Sequence, residues 1–241
     1  MKLIMIRHAE PNYEIDGLTD NGEVEAKYLA RRLCAEDIDS FYCSPLGRAK
    51  KTAEPTLRCL GKEAEYCEWL REFDYCKVKL PYLDRDKCCW DILPEFVDER
   101  PQLYSPEKWR EVDFIKASSV PDEYDKVCCE FDKVLEAHGY KRDGANYKVT
   151  NSNRKTLVFI CHFGLMAVLI SHIMNCSPYS VWQNTVALPS SVTIFNSEER
   201  RPGRALFRAS CFGDTSHLYK AGITPSFAAR FCECFSDGTR H

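Results

Sequence analysis

The chain reads as an α/β protein, a three-layer α/β/α sandwich around a mostly parallel central sheet, and three observations predict it. Short continuous apolar runs at Lys2–Ile6, Ile38–Cys43 and Thr156–Cys161 lack the alternation of a half-solvated strand, which is how strands covered on both faces read. Stretches of helical periodicity follow each of them. With 241 residues and 44% hydrophobic content the chain can bury a sizeable core. A single domain over 1–241 is expected, with an insertion after the second helix at about 76–121.

The opening run ends where Arg7-His8 begins. Both polar residues therefore fall at the carboxyl end of a strand, the side of an open parallel sheet where ligands bind. Past a loop through Asp16-Gly17, Thr19 or Asp20 is placed to cap a helix whose apolar positions are Ala26, Leu29, Ala30, Leu33 and Cys34. The second strand gives way to Ser44-Pro45, read as a helix start with proline at a favoured first position, running to about Leu60 before Gly61. Arg48 then lies on that helix's first turn.

Between Pro81 and Pro121 the periodicity collapses. Prolines at 81, 94, 101, 106 and 121 interrupt the aromatics Tyr82, Trp90, Phe96 and Trp109, the pattern of an insertion that either folds over the crevice or packs elsewhere. From Pro121 an amphipathic helix puts Tyr124, Val127, Cys128, Phe131, Val134, Leu135 and His138 on one stripe and stops at Gly139. His138 is read as structural, a cation suited to a helix end. The third strand ends at His162 and continues as an apolar helix over Gly164–Met174. Ser191–Asn196 and Ala205–Cys211 alternate like two further strands around a charged turn, Glu198–Gly203.

The formal charge of −3 gives no basic field for nucleic acid, and no Lys/Arg block marks a membrane anchor. The apolar N-terminal run is too short for a signal peptide, and Leu157–Ile170, interrupted by His162, is too short to span a bilayer. A cytoplasmic protein acting on small molecules is expected, with neither nucleic acid nor membrane as partner. Fourteen cysteines are many for a reducing compartment. The adjacent pairs Cys88-Cys89 and Cys128-Cys129, together with Cys232-x-Cys234, lack the spacing of a zinc site or a disulfide framework. The thiols are read as small buried hydrophobes and no metal is expected.

The residues at the strand ends suit phosphoryl transfer, which asks for cations around the equatorial oxygens, an in-line nucleophile and a proton source for the leaving oxygen. His8 attacks through one ring nitrogen if a backbone carbonyl holds the other as N–H. Arg7 offers a forked donor. Arg48 sits where exposed helix N–H groups already favour an anion, and His162 opens another such helix, whose Phe163 and Gly164 can offer backbone N–H groups. A histidine after an apolar strand is ordinarily only a hydrogen-bonded core residue, but two such histidines, two arginines and Ser-Pro-Leu-x-Arg-Ala at a strand-to-helix junction converge on one crevice.

Leu3-Ile4-Met5-Ile6-Arg7-His8-Ala9-Glu10, Leu18-Thr19-Asp20-Asn21-Gly22, Ser44-Pro45-Leu46-Gly47-Arg48-Ala49 with Thr52-Ala53, and Val158-Phe159-Ile160-Cys161-His162-Phe163-Gly164 resemble, in order, the motifs of the histidine phosphatase superfamily, which includes the cofactor-dependent phosphoglycerate mutases. The resemblance implies that His8 is the nucleophile, that Arg7, Arg48 and His162 bind phosphate, and that Glu72, in Leu70-Arg71-Glu72, is the acid. Asp74 competes for that role. Ala9 and Phe163 replace glycines of the family pattern, and Asn12 stands two residues before the family's phosphate-binding asparagine. His217, in the polar cluster Gly213–His217, is a weaker candidate at the pocket mouth, because local turn bonding explains the cluster as well.

The expected activity is two-step phosphomonoester hydrolysis of a small phosphorylated metabolite without cofactor. His8 takes the phosphoryl group, and Glu72 protonates the leaving alcohol and then activates water. The alternatives are a mutase that returns the phosphoryl group to a second hydroxyl, and a non-catalytic phospho-ligand binding module.

Overall fold

The structure, a computed structural model, describes residues 1–227 and 233–237. Its elements in chain order are β1 (Lys2–Arg7), β2 (Pro11–Asn12), β3 (Gly17–Leu18), α1 (Asp20–Leu33), β4 (Ser40–Cys43), α2 (Gly47–Leu60), β5 (Glu65–Tyr66), β6 (Lys77–Val78), β7 (Lys87–Cys88), α3 (Pro94–Asp98), α4 (Asp113–Lys116), α5 (Val120–Ala137), β8 (Tyr140–Asp143), β9 (Asn146–Val149), β10 (Thr156–Cys161), α6 (Phe163–Met174), α7 (Pro178–Trp182), β11 (Val192–Arg201), β12 (Arg204–Asp214) and α8 (Ser216–Tyr219).

Eight strands form one sheet in the order β5-β4-β10-β1-β11-β12-β9-β8. The first four run parallel, and β11 and β9 reverse, so that β12 and β8 again point with the parallel group. The three layers follow from the pleat. Leu3, Met5, Leu157 and Phe159 face one core with α5 and α6, while Ile4, Ile6, Val158 and Ile160 face a second with α1 and α2. Each of these side chains is almost wholly buried, contributing about 1.5–3 kcal/mol relative to an exposed one.

Thr19 caps α1, accepting from the Gly22 amide at 3.0 Å. The α2 helix departs from expectation. It starts at Gly47 rather than Pro45, and its N-cap Leu46 has no side chain to offer; Asp16, from the turn between β2 and β3, accepts the Gly47 N–H at 2.6 Å instead. Gly61 ends it in the left-handed conformation, as glycine after a helix does.

Residues 76–121, read above as an insertion, build a two-stranded ribbon, β6 with β7, then α3, α4 and 3-10 turns. Leu80, Cys89, Ile92, Val97, Leu103, Trp109 and Ile115 join the core under α5 and α6. Three further expectations need correction. The region read as a charged turn is mostly strand, with β11 and β12 reaching the turn at Pro202-Gly203, and a second hairpin, β8 with β9, precedes β10. His138 is not a cation at its helix end: burial lowers its pKa, and its Nε2 lies 2.9 Å from the Tyr42 hydroxyl. Cys34 and Cys59 form a disulfide between the C-terminal ends of α1 and α2, whereas eleven other cysteines among the described residues are free and most of these are buried. Cys232 lies outside the described residues, and Cys234 is exposed. Among the described residues no helix is long and apolar enough to cross a membrane.

Candidate active site

The site forms because three parallel strands stop at one level. Arg7 pairs with Cys161 across β1 and β10, and Cys43 pairs with Ile160 across β4 and β10. Each strand therefore releases its next residue, His8, His162 or Ser44, at the same edge. The ladder continues one step further, with the His8 N–H on the Cys161 carbonyl and the Ser44 N–H on that of Ile160, both at 2.9 Å.

The buried rings of His8 and His162 lie with centroids 5.0 Å apart. His8 Nδ1 is 2.7 Å from the Ala9 carbonyl oxygen, an atom that only accepts, so Nδ1 carries the proton and Nε2 keeps its lone pair. Ala9 is itself fixed by its N–H on Thr52 Oγ1 at 2.9 Å. Burial, and after it the Arg7 charge, lowers the His8 pKa from 6.5 to about 3, leaving a neutral ring at physiological pH. Burial, and after it the charges of Arg48 and Arg7, lowers the His162 pKa and keeps that ring neutral as well. Its Nε2 lies 2.8 Å from Ser44 Oγ, and its Nδ1 has no partner among the described residues.

Both arginines are buried beside these rings. Arg7 donates from Nη1 to the Ala187 carbonyl at 2.8 Å and also bonds the Tyr13 side chain. Burial disfavours its charge, while Tyr13, Glu72 and Glu25 support it. Arg48 donates from Nη1 to Asp16 Oδ1 at 2.7 Å, and its Nε has no partner among the described residues.

Glu72 comes in from the segment before the insertion, immediately after a 3-10 turn that ends at Leu70. Part of the residue is exposed while its carboxyl is enclosed. Oε1 accepts from the Phe73 and Leu165 amides at 2.8 and 3.0 Å, and Oε2 from the Gly164 amide at 3.4 Å. Burial raises its pKa and these three N–H bonds oppose the rise without cancelling it. A carboxyl pushed upward beside the N-terminus of α6 is suited to holding a proton. Asp74, by contrast, is exposed, on the rim of a cavity of about 360 Å³ that Glu72 also lines.

The remaining predicted residues are spread more widely. The Gly164 amide serves Glu72 rather than facing an open anion position, and Phe163 opens α6 half-buried against the main core. Asn12 accepts the Glu14 N–H at 3.1 Å, a local turn that spends its carbonyl. His217 sits in α8, behind the loop that supports His8. Its Nε2 is 3.2 Å from Ser190 Oγ, and the Ser190 N–H bonds the His8 carbonyl at 3.1 Å. Burial lowers its pKa to about 4.

Four contributors went unread in the sequence. Ser44 and Thr52 stood inside a recognised motif without an assigned role, and hydroxyls there were the available signal. Asp16 and Trp90 gave none. Trp90, from the insertion, stands over Gly164, where an added Cβ would lie 2.5 Å from the indole and 2.8 Å from Glu72 Oε1. The insertion thus reaches the residue that holds the candidate acid.

A histidine pair, two buried arginines and an enclosed carboxyl thus stand together around one strand-end crevice. Residues 3–113, a little under half of the chain, match the model of the histidine phosphatase superfamily (branch 1). Among curated relatives, a probable phosphatase of Schizosaccharomyces pombe is 24% identical over 90% of this chain and 95% of its own length. Phosphoserine phosphatase 1 of Hydrogenobacter thermophilus is 24% identical over 83% of this chain and 89% of its own. Among solved structures, a phosphoserine phosphatase of Entamoeba histolytica in complex with 3-phosphoglyceric acid superposes with a TM-score of 0.58 at 20% identity, covering 90% of this chain and 98% of that one. A mycobacterial glucosyl-3-phosphoglycerate phosphatase superposes with the same score of 0.58 at 15% identity, covering 89% and 99%.

Proposed function

We propose that the chain hydrolyses small phosphomonoesters through a phosphohistidine on His8, with Glu72 as general acid and then general base. The observation that carries this reading is the His8 tautomer. The Ala9 carbonyl at 2.7 Å keeps the proton on Nδ1, and a pKa lowered to about 3 keeps the ring neutral, so Nε2 is an available nucleophile. Arg7, Arg48 and His162 surround the phosphoryl oxygens and take up their charge. Glu72 gives its proton to the leaving alcohol, and its carboxylate then draws a proton from the water that attacks the phosphohistidine. That attack returns His8 to its starting state and releases inorganic phosphate.

Phosphoserine and 3-phosphoglycerate are the first substrates to assay, because relatives of this fold carry those names. Phosphate release is measured over a panel of phosphomonoesters, with 3-phosphoglycerate also run in the presence of 2,3-bisphosphoglycerate. In His8→Ala, release and acid-labile protein phosphorylation should both vanish. In Glu72→Gln, activated aryl esters should be cleaved far better than alkyl esters, whose poor leaving groups need about 10²–10⁴-fold help from the acid. Formation of 2-phosphoglycerate without net release would replace this reading by the mutase, and wild-type inactivity on every ester by a binding module.

A further inference from the structure

The two cradle arginines are already occupied by the chain itself. In the turn between β2 and β3, Asp16 places one carboxylate oxygen 2.7 Å from Arg48 Nη1 and the other 2.6 Å from the Gly47 N–H. A few residues earlier, Tyr13 bonds Arg7 and lays its ring 5.4 Å from the Arg48 guanidinium. A helix N-terminal amide and a guanidinium on one carboxylate are the pair of donors that a phosphate would take at this place.

The backbone is arranged to hold Asp16 there. Its φ is +46°, a region that a residue other than glycine enters at a cost, and a Cβ at Gly47 would lie 2.0 Å from the Asp16 carbonyl oxygen, so the turn and the helix start are fitted to each other. Yet Asp16 and Tyr13 keep 44% and 66% exposure, so the turn lies at the surface with room to leave. One pair of donors cannot serve a carboxylate and a phosphate dianion together, because the two anions would stand within a few ångströms of each other in a site of low dielectric.

We infer that Asp16 is an internal anion that occupies the Arg48 half of the phosphate cradle and is displaced when a phosphate ligand binds, so that it sets the site's affinity. This rests on the phosphate cradle proposed above and adds a determinant to it. Asp16 acts through Arg48 and takes no part in bond making. Free enzyme must give up the Asp16 contacts before its second arginine can engage, and the apparent affinity falls by the fraction of molecules in which they are broken.

The test is equilibrium binding of inorganic phosphate to the full chain by titration calorimetry, together with KM, kcat and phosphate inhibition. Asp16→Asn removes the charge and suits a positive φ; Asp16→Gly removes the acceptor altogether and suits it too. Both should bind phosphate more tightly, by between about threefold and thirtyfold for a half-exposed charge-assisted contact, with the gain on KM and phosphate inhibition rather than on kcat. A structural role alone would not tighten an anion site. Weaker or unchanged phosphate binding in two variants that melt like the wild type overturns the inference while leaving the phosphatase reading standing. If neither wild type nor variant binds phosphate, the cradle itself is misread and both ideas fall together.

Discussion

Gly164→Ala sets two effects of known sign against each other. In a helix interior, alanine is better than glycine by about 1 kcal/mol. At this position, however, the new methyl group would lie 2.5 Å from two atoms of the Trp90 indole and 2.8 Å from Glu72 Oε1, distances that real Cβ atoms do not reach. Relieving such overpacking costs about 1–3 kcal/mol, so a net destabilisation of up to about 2 kcal/mol is expected. For a chain of 241 residues, a loss at the upper end of that range lowers Tm by about 4–8 °C. The larger consequence is chemical. Glu72 is held by the amides of Phe73, Gly164 and Leu165, and a shift of about 1 Å in a reacting group is worth about a hundredfold in rate. The loss should fall on alkyl esters and spare aryl esters. Combined with Trp90→Ala, which removes the indole clash, Gly164→Ala should lower Tm no further than Trp90→Ala does alone, and should keep most of the rate defect, since the approach to Glu72 persists. The assays are thermal denaturation and kcat across a leaving-group series. A Gly164→Ala protein with unchanged Tm and full activity on alkyl esters would refute the close fit of Trp90, Gly164 and Glu72.

Acidification should destabilise the fold through His8. Its native pKa of about 3 lies below the unfolded value of 6.5, so between these limits the unfolded chain binds the extra proton. Its stabilising contribution is complete above pH 6.5 and declines as pH falls toward 3, by about 4–5 kcal/mol in total for a shift of this size. Urea unfolding of wild type and His8→Asn across that range checks the slope, and equal slopes would contradict it. Burial of His162 and His217 acts in the same direction, whereas the raised pKa of Glu72 opposes it over the range just above the ordinary carboxyl value. Ser44→Ala leaves His162 Nε2 without its hydroxyl and should cost about 1–3 kcal/mol of stability, measured by urea unfolding at pH 7.

Most of the site's composition was legible because it is local. A strand buried on both faces announces itself as an unbroken apolar run, and the first polar residue after the run marks its end, so Arg7, His8 and His162 could be located before any contact was known. Arg48 followed from its place on a helix's first turn, although the start of that helix was misplaced by the prior that favours proline at the first position. The hairpin of β8 and β9 was missed because its strands have four residues each and are dominated by charged and polar side chains. The charged turn was overcalled for the same reason: Glu198 and Arg208 lie on neighbouring antiparallel strands and pair across them, so charge there reports a solvated strand and not a loop.

By itself, then, the sequence determined which chemical groups stand at the ends of the strands, since that depends only on where apolar runs stop. Tertiary structure decided how those groups are tuned. Asp16 reaches Gly47 across 31 positions, Glu72 reaches Leu165 across 93, and Ser44 meets His162 across 118. None of these pairings has a period or a spacing. They exist because parallel strands end at one level and insertions fold back over that edge, and from that burial come the neutral histidines and the raised carboxyl.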